Sequence, residues 1–251
     1  MGGYRVWIPA LLLVWGCQCW VNPSWARREL RKLDEPLSTA FRLVLVETPT
    51  FTSSSATITT YERKSPTEDW LKVGVPARAK VGRAGVGWGH PYMDLARPGE
   101  PIKREGDKRA PAGVFSLSRS FGFGSSNLFN YMQLEKGQHF CVDDTASDHY
   151  SRIVSSKMAG PETSGERMWA IDLYRKGILV DYPTSRTAKA GSCIFVHVWS
   201  SPDKPTVGCV AASEPTVKRL QKWVSDPDAK AVIAIVPVEA EDRLLGLPGH
   251  R

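Results

Sequence analysis

The chain is poor in cysteine, with five in 251 residues, which excludes a small fold stapled by disulfides. Long apolar runs are missing too. The longest, residues 6–17, is shorter than the roughly 20 residues a membrane helix needs. Sustained basic runs are absent: Arg27-Arg28 and Lys103-Arg104 are about the largest, and there is no recognition-helix or RNA-sheet signature. The net charge of +7 is therefore dispersed, and no nucleic-acid partner is expected. No Gly-Lys-Ser/Thr occurs, so a Walker loop is excluded. Glycines 82, 85, 87 and 89 do not make a dinucleotide fingerprint, because His90 stands where GxGxxG from Gly85 needs its third glycine. That cluster reads as a tight turn between strands.

What is present begins with an address. Arg5 precedes the apolar run, and Ser24-Trp25-Ala26 offers small residues at the two positions a signal peptidase inspects. Residues 1–26 read as a secretory signal peptide. Its removal takes one basic residue and two cysteines, and leaves Cys141, Cys193 and Cys209. Two other routes are open: an uncleaved anchor, or lipidation at Cys17, although Trp15 is bulky for a lipoprotein box. Residues 27–40 read as a polar arm, residues 41–238 as one domain without repeat or linker, and residues 239–251 as a tail. The location expected is the periplasm or cell envelope.

The domain reads as mainly β. Hydrophobic residues make 42% of the chain, enough for a sizeable core, and 18 prolines with 21 glycines suit short strands joined by turns. Residues 42–46, 57–61, 114–117, 169–174, 178–182, 193–199 and 231–236 are apolar or β-branched and read as strands. Residues 70–75 and 77–81 read as two more, split by Pro76. One helix is clear: Ser213 is an N-cap, Glu214 and Pro215 open the first turn, and Val217, Leu220 and Val224 recur at near-helical spacing.

The chemistry gathers late in the chain. Residues 193–199 read Cys-Ile-Phe-Val-His-Val-Trp. Alternation on a strand puts Cys193, Phe195, His197 and Trp199 on one face, and Ile194, Val196 and Val198 on the other. A six-residue loop with two prolines follows, then Thr206-Val207-Gly208-Cys209. The loop can return Cys209 to the end of the histidine strand. A thiol is mostly protonated at neutral pH, so a nucleophilic cysteine needs a base or a counter-ion, and His197 can be either. Gly208 permits a sharp turn, and the Cys209 amide, with a neighbour, can bind an oxyanion. A histidine on an apolar strand and a Gly-Cys pair are also common in plain cores. Three cysteines leave at least one without an intramolecular partner; pairing Cys141 with Cys193 is one arrangement that frees Cys209. Cys141, Asp143, Asp144 and His149 match no familiar zinc spacing, so neither a metal nor another cofactor is expected. Asp143 and Asp144 order a loop or shape a groove.

The elements 195–199 and 206–210, the stretches Lys103-Arg104-Glu105-Gly106-Asp107 and Ala110-Pro111-Ala112-Gly113-Val114-Phe115, and the segments 141–144 and 191–195 together resemble the L,D-transpeptidase catalytic-domain family (the YkuD type) over residues 75–236. That resemblance implies a β-sandwich with a few short helices. It implies a monomer acting on peptidoglycan stem peptides outside the cytoplasm, with Cys209 as nucleophile and His197 as base. Thr206 and Gly208 would shape the site, Trp199, Asp143 and Asp144 would border a substrate groove, and carbapenem-type β-lactams would acylate the cysteine. With water as acceptor the same residues would make a carboxypeptidase, and a non-catalytic wall-binding protein could keep the same fold. The chain departs from the common pattern at Val207, where many members carry a second histidine, and at Val210, Ala211 and Ala212, where many carry Arg or Asn soon after the cysteine.

Overall fold

A computed structural model describes residues 36–245. The expected signal peptide, Cys17, residues 27–35 of the arm and residues 246–251 of the tail lie outside the described residues. Among the described residues no helix is long and apolar enough to cross a membrane.

The strands most easily anticipated build one wall. β1 (Arg42–Thr48) pairs antiparallel with β2 (Ser55–Glu62) and parallel with β13 (Ala231–Pro237), setting Val44 beside Ile233 and Val46 beside Ile235. All seven residues of β13 are buried, as its unbroken apolar run requires. β3 (Leu71–Lys80) runs on from β2 as one strand rather than the two expected from Pro76. The ladder pairs Thr60 with Val73 and Ile58 with Ala77, so residues 74–76 bulge opposite Thr59. A proline, which has no amide hydrogen, is tolerated in such a bulge, and Gly74 takes the positive φ of +70° there.

The glycine cluster is the turn the sequence suggested. Gly85 donates its amide to Gly82 O at 2.7 Å and has φ +86°. A Cβ on it would stand 2.0 Å from Phe51 O, so no other residue fits. The turn leads into β4 (Val86–Trp88), which pairs with the start of β5 (Ala110–Gly122). β5 is long enough to reach two neighbours: residues 113–116 pair with β13 and residues 116–122 with β10 (Lys176–Asp181). β10 pairs with β11 (Phe195–Val198), β11 with β12 (Val210–Ala212), and β12 with β3. The ring closes into a barrel-like sheet, and β6 (Tyr131–Gln133) adds to the side of β5. Strands hold 36% and helices 19%, so the expected mainly β class with few short helices is what is observed.

Two smaller pieces complete the chain. β7 (Phe140–Val142), β8 (Ile153–Val154) and β9 (Gly165–Arg167) form a separate three-stranded sheet, with the one-turn helix α1 (Ser156–Ala159) between the last two. α2 (Glu214–Val224) starts where Ser213 caps the Thr216 amide, and buries Val217 and Leu220 in the main core. Its Gln221 side chain is buried, and its amide donates to Phe121 O and Gly177 O, both at 2.8 Å, tying the helix to β5 and β10. α3 (Glu241–Leu245) follows β13.

One strand expectation fails. Residues 169–174 are not extended; they form two 3-10 turns, Met168–Ala170 and Asp172–Arg175. The Tyr174 amide bonds Ile171 O at 2.8 Å, and the Arg175 guanidinium binds Asp172 Oδ2 at 2.8 Å and Glu214 Oε2 at 2.8 Å. Arg175 thereby clamps the turn onto α2, and this tertiary tie outweighs the local β propensity.

Ile235 lies at the centre of β13 and is fully buried. Ile235→Ala is expected to cost about 2–5 kcal/mol through lost burial and a residual cavity, read as a lower urea midpoint with unchanged slope.

Candidate functional site

The period-2 reading of the histidine strand holds for its faces and is corrected at its ends. Val196 and Val198 join the main core, while Phe195 enters a second cluster with Phe121, Met168, Tyr174, Cys141, Cys193 and Cys209. The strand itself is only Phe195–Val198. Cys193 has φ +53° and precedes it in a turn, and Trp199 follows it, half-buried, with its amide on Ala212 O.

β12 lies beside β11 in parallel, with Val196 opposite Val210 and His197 opposite Ala211. Cys209, just before β12, therefore comes level with Phe195. Its sulfur accepts the Phe195 amide at 3.4 Å and donates to Cys193 O at 3.4 Å. Cys209 and His197 are each 5% exposed. The turn before the cysteine is held by Thr206, whose hydroxyl donates to Cys209 O at 2.6 Å and accepts the Gly208 amide at 3.1 Å. Gly208 has φ +155°, and a Cβ there would meet Arg109 O at 3.2 Å. The Gly208 amide is thereby spent on Thr206.

His197 has a defined tautomer. Nδ1 lies 2.8 Å from Val198 O, and a carbonyl only accepts, so Nδ1 carries the hydrogen and Nε2 keeps its lone pair. Burial pulls the imidazole down to about 4, against the opposing Val198 hydrogen bond. Burial, aided by the charge of Glu166, pushes the Cys209 thiol up to about 12, with the Phe195 amide and Lys103 opposing. Both groups therefore rest neutral at pH 7. A standing thiolate–imidazolium pair is not expected.

Cys141 and Cys193 are joined by a disulfide across 52 residues, and Cys209 is the free thiol among the described residues. The bond ties β7 to the turn before β11 and so fixes the small sheet against the second cluster. A groove of about 610 Å³ passes Cys193, Ile194 and Phe195, with Arg119, Arg152 and Asp181 on its walls. A larger cavity of about 900 Å³ lies across β1, β2 and β3 and shares no residue with the cysteine cluster. Neither is lined by Trp199, Asp143 or Asp144. Asp143 accepts from the Ser164 hydroxyl and Asp144 from the Ala146 amide, so both order loops of the small sheet. Among the described residues no three His, Cys, Asp or Glu side chains cluster as a metal site would need.

The stretch 103–107 gains a structural reason. Lys103 is 3% exposed and binds Asp107 Oδ1 at 2.7 Å, while Asp107 also receives the amides of Arg104 and Arg109. Glu105 accepts from the Ser192 hydroxyl at 2.7 Å and from Tyr150, which anchors the turn before Cys193.

Two site residues were not anticipated. Tyr174, 4% exposed, stands edge-on to the His197 ring with centroids 5.3 Å apart, and it packs in the same cluster as Cys209. Its hydroxyl donates to Glu166 Oε2 at 2.6 Å. Burial raises the Glu166 carboxyl to about 7, assisted by Asp143 and Glu105 and opposed by Tyr174. Tyr174 was hidden in a segment that reads as strand, and Glu166 in a polar stretch with no motif. Only the partner supplied by folding marks either one.

No family model, curated protein or solved structure matches the chain.

Two outcomes follow from this chemistry. Denatured, non-reduced protein treated with iodoacetamide should be labelled on the Cys209 peptide and not on those of Cys141 or Cys193, as read by mass mapping. Glu166 has a folded pKa raised from 4.5 to about 7, so its ionisation disfavours the folded state as pH rises through that window. Glu166→Gln should therefore gain stability relative to wild type between pH 4.5 and 7 and hold that gain above, measured as urea midpoints.

Proposed function

We propose that the protein is a peptidoglycan L,D-transpeptidase of the YkuD type, and that its barrel-like sheet is a form of that family's β-sandwich. The observation that carries the reading is the register of β11 on β12, which sets one free thiol, Cys209, one step along from His197 on the neighbouring strand, with the histidine's Nδ1 tied to Val198 O so that Nε2 is left to act as a base. The sequence motifs around 103–115 and 191–210 support it. So does the disulfide, which suits an exported protein.

In this mechanism the Cys209 sulfur attacks the carbonyl between the third residue and the D-residue of a stem tetrapeptide. The thiol proton passes to His197 Nε2 and on to the departing amine, D-alanine leaves, and a thioester remains on Cys209. The Cys209 amide stabilises the oxyanion at each tetrahedral stage. An amine of a neighbouring stem then attacks the thioester, loses its proton to His197, and leaves a cross-link with the free thiol restored. No cofactor takes part. Export through residues 1–26 would deliver the enzyme to the periplasm or envelope, with anchoring at Cys17 as the variant route.

Purified sacculi treated with wild type and with Cys209→Ala provide the test, read as muropeptide masses. New cross-linked dimers made only by wild type are the expected result. Loss of D-alanine without dimers would select the carboxypeptidase reading, and identical profiles would remove the enzyme reading and leave a wall-binding role. Carbapenem should add one acyl mass to Cys209, and His197→Ala should slow that acylation by about 100-fold or more while retaining the wild-type circular dichroism spectrum. Unchanged acylation in the histidine variant would exclude His197 from the mechanism.

A further inference from the structure

Glu166 calls for an explanation that packing does not supply. It sits on β9, half-buried, and among the described residues no Lys, Arg or His forms an ion pair with it. The groups bearing on it are Asp143 beyond β7 and Glu105 from the 103–107 stretch, both acidic, together with the Tyr174 hydroxyl. A carboxylate partly withdrawn from water beside two acidic groups and without a cation is costly, and an apolar residue or a glutamine would fill the place at less expense. Among the described residues the Glu166 carboxylate accepts from the hydroxyl of Tyr174, a residue that packs in one cluster with Cys209. The three groups Cys209, Tyr174 and Glu166 thus form a line from the reacting sulfur to a carboxylate. His197 lies edge-on to the middle member, and the buried Lys103 bears on the sulfur.

We propose that Tyr174 and Glu166 are a proton relay for Cys209, a second proton acceptor beside His197. Tyr174, which shares the cluster of Cys209 and would take the thiol proton directly, is the catalytic member; Glu166 acts only through it and is a positioning residue whose carboxylate receives the relayed proton. In the resting state the thiol keeps its proton, and Tyr174 donates its own to Glu166 Oε2. On activation the S–H bond breaks and that proton joins the Tyr174 oxygen, while the tyrosine's original proton moves to Glu166. The products are a thiolate, a neutral tyrosine now donating to sulfur, and a neutral carboxylic acid. The net charge of the trio stays at one negative, so no new charge is created in the apolar cluster, whereas transfer to His197 creates an ion pair there. After the sulfur is acylated, the acid returns its proton to the departing amine or to water.

This inference rests on Cys209 being the nucleophile of the reading above, but its test is independent of any wall substrate. Alkylation of Cys209 by iodoacetamide, followed by mass mapping between pH 5 and 10, reads thiolate supply alone. Wild type should show a limb rising near pH 7, where Glu166 must be ionised to accept a proton, and a second limb at higher pH from direct loss of the thiol proton. Glu166→Gln and Tyr174→Phe should each lose the lower limb and react at least about tenfold more slowly at pH 8, the low end of what a positioned proton acceptor contributes. Glu166→Asp should recover part of that limb. The double variant should be no slower than either single one, because the two residues act as one unit.

If Glu166 served only as a negative charge that holds the thiol proton in place, its removal would make Cys209 react faster. A faster or unchanged rate in Glu166→Gln, or an unchanged lower limb in Tyr174→Phe, overturns the relay. Urea midpoints of the variants separate these outcomes from misfolding. A relay-dependent alkylation profile with inactive wild type on sacculi would keep the relay and reject the transpeptidase reading, and the converse result would do the opposite.

Discussion

The parallel pairing of β11 with β12 joins two strands that are close in sequence by a loop that doubles back over a short distance. Its register sets Val196 against Val210 and His197 against Ala211, which brings Cys209 level with Phe195. A slip by one residue would turn the histidine and the cysteine to opposite faces. Thr206 secures the register from the loop side by bonding both Gly208 N and Cys209 O. From the other side, the two faces of β11 are held by different cores, valines in the main one and Phe195 in the aromatic cluster.

That cluster sets the electrostatics as well as the packing. Phe121, Tyr174 and Phe195 meet edge-to-face with centroids 5.4–5.9 Å apart, and the sulfur and the imidazole beside them are buried. In such surroundings every one of these groups is driven toward its neutral form: the thiol and the carboxyl rise, and the imidazole falls. A site of this kind stores no ready thiolate. The buried thiol is thereby kept from adventitious reaction. The Cys141–Cys193 disulfide complements this by fixing the small sheet, which carries Glu166, to the turn ahead of the histidine strand.

Much of the scaffold could be read from the chain. The apolar run of β13, the capped helix after Ser213 and the two faces of the histidine strand follow from local pattern, because a period of 2 or 3.6 and a capping side chain act within a few residues. The return of Cys209 to the side of the histidine strand was legible as a spacing, an apolar strand and a short proline-stiffened loop. Pro76 misled in one respect: it marks a bulge within β3 rather than a break, since the partner strand absorbs the extra residues. Residues 169–174 misled more fully. Their strand-like composition yields to the Arg175 clamp on Glu214, an interaction 39 residues distant that no local window contains.

The sequence by itself therefore determined the elements, the central cluster of candidate chemistry and the shortage of thiols that singles out Cys209, because each depends on residue type and short-range order. Only the tertiary structure decided that Cys141 bonds Cys193, that Nδ1 of His197 faces a carbonyl, and that Tyr174 packs with Cys209 while bonding Glu166. Those facts depend on closing the ring through β10 and β5 and on docking a second small sheet over it. Long-range closure brings together groups whose charges and hydrogen bonds have no meaning until water has been removed from between them.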